Sequence, residues 1–155
     1  MEMPKRYWLM KSEPDEFSID SLKKVGTEPW TGVRNYQARN FMMKDMRVGD
    51  GVFFYHSSTA IPGIAGIAKV ASEPYPDPTQ FNKKSDYYDP ASKPEEPRWW
   101  LVDIAFDRKF ERVIALDELR PLADKLGDMV LLQKGSRLSV QPVTAAQWKT
   151  ILSLE

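Results

Sequence analysis

Short apolar runs alternate along this chain with stretches of helical spacing, and the deepest apolar run lies near the middle. It reads Gly51-Val-Phe-Phe-Tyr-His-Ser57. On an extended backbone Val52, Phe54 and His56 point one way, while Phe53, Tyr55 and Ser57 point the other. Both sets begin with large apolar residues, which predicts a central strand covered on both faces. Gly63 to Val70 reads as its hairpin partner, with Gly63 and Gly66 inside it. Glycine within a strand marks a bulge or a close backbone approach. Polar groups gather where the first strand ends, at Tyr55, His56, Ser57 and Ser58. That end is predicted to be the working mouth of a small barrel-like sheet.

The flanking pattern supplies the other elements. Tyr7-Trp8-Leu9-Met10 predicts a first strand that stops at Ser12-Glu13-Pro14, where proline removes a ladder donor. Ser18 caps a short helix through Ile19 and Leu22, closed by Gly26. Trp30-Thr31-Gly32-Val33-Arg34 is a loop leading to a second cap, Asn35. The helix after it turns Ala38, Phe41, Met42 and Met46 inward, with Asn35 and Arg39 on another face. Trp99 to Phe110 reads as one long strand, with Trp100, Val102, Ile104 and Phe106 on its core face. Short helical pieces follow over Ala115–Gly127 and Asp128–Gly135, then a last strand over Arg137–Val143. Thr144-Ala-Ala-Gln147 is a capping box that opens a terminal helix, with Trp148, Ile151 and Leu152 as its buried stripe.

One segment differs. Glu73 to Arg98 carries six of the 12 prolines, with Tyr75, Phe81, Tyr87 and Tyr88 among them. A connection this long is functional or disordered, and its aromatics favour a packed loop.

With 155 residues the chain reads as one domain, 1–155, large enough for its own core. Lys+Arg and Asp+Glu are both 22, so the formal charge is zero. Gripping nucleic acid by bulk charge takes a strongly basic protein, so such a partner would need a local rim or a base-specific pocket. The absence of cysteine removes disulfides, thiol nucleophiles and cysteine metal sites together. No apolar run reaches the ~20 residues of a membrane span, and the amino terminus has no signal-peptide core. The expected location is cytoplasmic, or nuclear in a eukaryote.

Candidate chemistry is sparse. One histidine and no cysteine argue against a metal, and no cofactor motif is present. Ser57 follows His56 but points to the opposite face, and no Gly-x-Ser-x-Gly elbow occurs. Gly63-Ile-Ala-Gly66 lacks the Gly-Lys-Ser/Thr ending of a phosphate loop. The stronger signal is aromatic and polar. Trp30, Tyr36, Tyr55 and Trp99 sit at element ends beside Ser12, Asn35, His56 and Ser57. Flat surfaces next to hydrogen-bonding groups suit a planar heterocycle, stacked on its faces and read at its edge. Trp8, Trp100 and Trp148 read as core, Trp30 is either core or a stacking surface, and His56 is either a hydrogen-bonded histidine at a strand end or a ligand contact. Arg34 and Arg39 are either solvated surface residues or phosphate contacts at a helix amino terminus.

At these residues a resemblance enters. Lys11-Ser-Glu-Pro14, Trp30-Thr-Gly-Val-Arg-Asn-Tyr-Gln-Ala-Arg-Asn-Phe41, Val48-Gly-Asp-Gly-Val-Phe-Phe-Tyr-His-Ser57, Pro62-Gly-Ile-Ala-Gly66, Tyr75-Pro-Asp-Pro78, Arg98-Trp-Trp100 and Arg137-Leu-Ser-Val-Gln-Pro142 closely resemble the EVE domain. The match runs in order over nearly the whole chain. It implies an α+β fold, a PUA-like mixed β-barrel of about five to six strands with short helices around it, related to the YTH and ASCH domains. It also implies a pocket at the barrel mouth for a modified base such as methylated or hydroxymethylated cytosine. Carried onto this sequence, the base pocket would take Ser12, Trp30, Val33, Asn35, Tyr36, Tyr55, His56, Ser57, Gly63, Ile64, Ala65 and Trp99. Arg34 and Arg39 would form a phosphate rim. The implied function is a non-enzymatic reader of a modified base in DNA or RNA. Two alternatives stay open: an enzyme with His56 or Asp77 as acid–base, and a small-molecule sensor.

Overall fold

The computed structural model describes residues 5–135 and 137–155. Its centre is a mixed six-stranded sheet that curls into a half-barrel, an α+β arrangement. In chain order the strands and helices are β1 (Tyr7–Ser12), α1 (Ile19–Val25), β2 (Thr27–Pro29), α2 (Tyr36–Asn40), β3 (Gly51–His56) and β4 (Gly63–Val70). There follow β5 (Tyr75–Pro76), β6 (Trp100–Leu101), β7 (Asp103–Ala115), α3 (Leu116–Leu119), α4 (Ala123–Leu126), β8 (Val140–Val143) and α5 (Ala145–Leu152). The sheet order is β2-β7-β4-β3-β1-β8, with β1 and β3 parallel and their other neighbours antiparallel. A crossover through α1 and α2 makes the parallel pair possible, since parallel neighbours cannot be joined by a tight turn.

The alternation in β3 divides the core as its pattern predicts. Val52 and Phe54 enter one apolar cluster with Trp8, Met10, Ile19, Leu22 and Trp30. Phe53 and Tyr55 enter another with Leu9, Ile64, Phe110, Trp148 and Ile151. Burying a side chain of this size stabilises the fold by roughly 1.5–3 kcal/mol, and here both faces of one strand contribute. At Gly63 an added Cβ would lie 2.3 Å from the Ile114 carbonyl oxygen, and at Gly66 2.5 Å from that of Arg108. The β3–β4 register shifts between them, so Ala65 has no partner in β3. The glycines let β7 approach, and the bulge bends the sheet toward closure.

Several elements differ from their sequence reading. The strand expected over Trp99–Phe110 is two strands. Trp100–Leu101 pairs with Tyr75–Pro76 in a separate ribbon, and after Val102 the chain joins the main sheet as β7, as far as Ala115. Two partners compete for this stretch, and Trp100 and Phe106 end half-buried instead of in the core. The helix after Asn35 changes to a π-helical turn over Phe41–Asp45, which keeps Met42 buried while Phe41 is only partly covered. The last strand starts at Val140, not Arg137. In α5 Trp148 and Ile151 are buried, but Leu152 is half-buried.

The proline-rich connection is packed, and Gln80 is its hub. Fully buried, its amide donates to the carbonyls of Asp77 (2.7 Å) and Trp99 (2.8 Å). Its Oε1 accepts from the Ser92 hydroxyl and the Trp99 N–H. Each polar atom of a buried amide is thereby matched, which a loop so poor in regular structure needs.

Candidate nucleic-acid interface

Where the parallel strands β1 and β3 end, the chain opens a cleft of about 540 Å³. Its floor is Lys11, Ser12 and Ser57, the last residues of β1 and the one beyond β3. The Ser57 N–H donates to the Ser12 carbonyl at 2.9 Å, which extends the ladder to the cleft. Pro14 follows the end of β1, and the turn there closes with Phe17 N–H donating to Glu13 O and Ser12 Oγ donating to Phe17 O. That turn forms one wall from Glu13, Glu16 and Phe17. Another wall is Glu28 to Arg34, and Tyr87, Arg137 and Ser139 complete the lining.

Trp30 is the flat part of that wall. It is 8% exposed, meets Phe54 edge-on at 5.7 Å, and its backbone N–H donates to Val102 O. Among the described residues its indole Nε1 has no hydrogen-bond partner, and Trp30 lines the cleft. One tryptophan both packs in the core and lines the cleft.

The turn holding Trp30 is tied down from the proline-rich loop. Asp77, 1% exposed, accepts the Gly32 N–H at 2.8 Å through Oδ2, and the Thr79 N–H and hydroxyl through Oδ1. Gly32 has φ +87°, and a Cβ there would meet the Tyr87 ring at 2.7 Å, so this corner requires glycine. Arg34 completes the lock. Its guanidinium donates to Asp77 Oδ2 (3.2 Å), Val33 O, Thr79 Oγ1 and Tyr87 O (2.6 Å). These acceptors occupy the donors that a phosphate would use.

The structure gathers Ser12, Trp30, Val33, Arg34 and Ser57 around one cleft. The other expected residues lie elsewhere. Asn35 caps α2 through Ala38 N–H and lines a neighbouring cleft of about 430 Å³. Tyr36 and Trp99 stack on each other at 4.8 Å on the outer side of Arg34, and Arg39 stands 4.7 Å from the Tyr36 ring. Tyr55 is buried in the second core cluster, with the Lys11 ammonium 5.8 Å from its ring. Ile64 and Ala65 are core, and Gly63 lies against β7. His56 Nε2 accepts the Ile19 N–H at 3.1 Å, at the start of α1. Burial holds the His56 pKa below its usual 6.5, which keeps Nε2 an acceptor. His56 and Asp77, the acid–base candidates, are thus both held by backbone donors.

Sequence reasoning misses Phe17, Glu13, Glu16, Glu28, Tyr87, Arg137 and Ser139 as cleft residues. Only Pro14 hints at the turn that brings the first of these over β1. Lys11 is visible as the start of a motif, and burial lowers its pKa. No group of three or more metal-ligating side chains occurs among the described residues, and no described helix is long and apolar enough to cross a membrane.

Against known proteins, the EVE domain family matches residues 6–154. Thymocyte nuclear protein 1 of zebrafish (Danio rerio) is 47% identical over 166 residues, covering 96% of this chain and 71% of that protein. A crystal structure of the human THYN1 protein in complex with DNA containing 5-methylcytosine superposes with a TM-score of 0.92 at 44% identity, covering 97% of each chain. An ASCH protein of Zymomonas mobilis, in a point-mutant form, shares the fold alone, with a TM-score of 0.54 at 9% identity over 97% of this chain and 99% of that one.

Proposed function

The chain belongs to the EVE domain family, and on that premise we propose that it is a non-enzymatic reader of a modified nucleobase in DNA or RNA. The observation that carries this reading is the Trp30 cleft: an indole on a turn tied down by Asp77, lining about 540 Å³ together with hydroxyls and carboxylates. The human relative bound to DNA containing 5-methylcytosine supports the same class of ligand.

A modified cytosine fits the chemistry of the lining. Its exocyclic amine is a donor, and Glu13, Glu16 and Glu28 offer carboxylate acceptors of the kind that read cytosine N4. Its carbonyl edge accepts, and the Trp30 Nε1–H donates. A substituent on C5 is apolar or weakly polar, and Phe17, Pro29 and Val33 provide surface for it. The base enters flipped or unpaired. Flipping costs a few kcal/mol of stacking and pairing, so unpaired substrates bind better. Lys11 and Arg137 at the cleft, with Arg39 outside it, are the cations for phosphate.

The test is a panel of oligonucleotides, as DNA and as RNA, that differ in one modified base. Selective affinity for one modification supports a reader. Equal affinity for modified and unmodified strands overturns it. A free nucleoside that binds as tightly as any strand would move the protein to the small-molecule class.

A further inference from the structure

Beyond the cleft lies a second aromatic surface that the base itself does not reach. Tyr36 opens α2 and is 52% exposed, yet one of its faces is not free: the ring stacks on Trp99 at 4.8 Å and 21°. Trp99 is held from below. Its indole N–H donates to Asp89 at 2.7 Å, and its backbone is clamped at both ends by Gln80. The Asn35 cap fixes the start of the helix that carries Tyr36.

The cations complete the surface. The Arg39 guanidinium lies 4.7 Å from the Tyr36 ring and 5.9 Å from Trp99, and one nitrogen donates to Arg98 O at 2.7 Å. With the two rings 4.8 Å apart, an arginine on the far face of Tyr36 would stand much further than 5.9 Å from Trp99. Arg39 therefore borders the stack and leaves the outer face of Tyr36 open. Arg34 joins the stack to the cleft, because it lines the cleft and lies 5.3 Å from the Trp99 ring.

We propose that the outer face of Tyr36 is a stacking platform for an unpaired nucleotide flanking the captured base, with Arg39 beside it for the connecting phosphate. This rests on the reading of the cleft as a base pocket. A step of 5.3 Å from the Arg34 guanidinium to the Trp99 ring and one of 4.8 Å from Trp99 to Tyr36 separate the cleft edge from Tyr36, which places the stacked nucleotide within about three positions of the captured base at the ~3.4 Å rise per nucleotide of a strand. Stacking on an aromatic ring tolerates any base, so the platform adds affinity for length and single-strandedness and not for sequence.

The experiment compares Tyr36→Ala and Tyr36→Phe with the native chain, using the free modified nucleoside and single strands with zero to four nucleotides on either side of the modified base. Melting temperatures are recorded for each variant. In the native chain, affinity should rise stepwise as nucleotides are added on one side only. Tyr36→Ala should abolish that step, a loss of about fivefold to a hundredfold, and leave nucleoside affinity unchanged, while Tyr36→Phe keeps the step. A length step that survives in Tyr36→Ala overturns the platform, as does an equal loss for nucleoside and strand, which would put Tyr36 in the pocket. If Tyr36→Ala melts far below the native chain, the flanking-length series of the native chain and Tyr36→Phe decides: no one-sided step overturns the platform. Failure of the base reading looks different, because then no modification is preferred at any length.

Discussion

The Asp77 carboxylate accepts the backbone N–H of Gly32 at 2.8 Å, joining two loops that lie on opposite sides of β3 and β4 in the chain. The wall of the cleft is thus set by a residue that does not line it. Asp77 also accepts from Arg34 and twice from Thr79. Removing one member of such a buried charged set leaves the others unpaired, and that is where the cost arises.

Asp77→Ala should therefore destabilise the fold by about 3 kcal/mol and loosen the Trp30 turn. Asp77→Asn keeps an acceptor but loses the charge opposite Arg34, and should fall between the native chain and Asp77→Ala. Urea titrations give the stability, and an oligonucleotide titration on the same samples gives the affinity. Native-like stability in Asp77→Ala would remove Asp77 as the organiser of this wall.

Trp30 has two sides, and its variants should separate them. Trp30→Ala removes core packing against Phe54 and should cost about 3–5 kcal/mol. Trp30→Phe keeps most of that packing but loses the wider ring and the N–H, so it should stay folded and bind its cognate strand about tenfold more weakly. Trp148→Phe serves as a control with a tryptophan remote from the cleft. Undiminished affinity in Trp30→Phe would place the base on another surface.

These residues show why some of the site is legible in the sequence and some is not. The two faces of β3 follow from alternation within six residues, a local property, and Val52, Phe53, Phe54 and Tyr55 divide as the pattern requires. Trp30 stands out because it sits in a Pro-Trp-Thr-Gly turn and not on a periodic face. Asn35 and Tyr36 are neighbours in sequence and both exposed, but Asn35 is the extended cap whose side chain accepts from the Ala38 N–H, while Tyr36 begins the helix and stacks its ring on Trp99. Nothing in the local pattern distinguishes them as pocket or platform. Asp77 can be noted as an acid, but its partner Gly32 is 45 residues away and meets it only through tertiary packing. Trp99 to Phe110 has the alternation of one strand, and only the competing partner Tyr75–Pro76 divides it.

His56 gives the fold a pH dependence of defined sign. Burial is the main cause of its lowered pKa, with Asp20 raising it and Lys109 lowering it. The unfolded chain therefore binds the proton first as pH falls. The His56 contribution is intact above the usual pKa of 6.5, declines as pH drops from there toward the depressed native value, and falls no further below it. Protonation also turns Nε2 from an acceptor into a donor facing the Ile19 N–H. His56→Gln, whose amide oxygen can accept from Ile19, should flatten the stability profile from just above the usual pKa down to the native one. Urea midpoints measured across that interval check it, and a slope unchanged in His56→Gln would assign the dependence to other groups.

Phosphate binding is decided by which cations have donors to spare. Arg34 is one of two arginines expected at the rim, but its guanidinium is spent on Asp77, Val33 O, Thr79 and Tyr87 O, and its side chain is only 22% exposed. Arg137 is exposed at the cleft, and Lys11 lies at its floor with its charge partly desolvated. A desolvated ammonium gains most from an anion, since the anion restores what burial removed. Each phosphate of a single strand that a cation no longer neutralises lowers the slope of log affinity against log salt by about 0.7. Lys11→Gln and Arg137→Gln should each flatten the slope by about that amount, and weaken modified and unmodified strands alike. Arg34→Ala should instead lower the melting temperature and leave the slope as it is. Affinities measured from low to physiological salt separate the two behaviours. A flattened slope in Arg34→Ala, with no loss of stability, would return Arg34 to the phosphate and detach it from the wall.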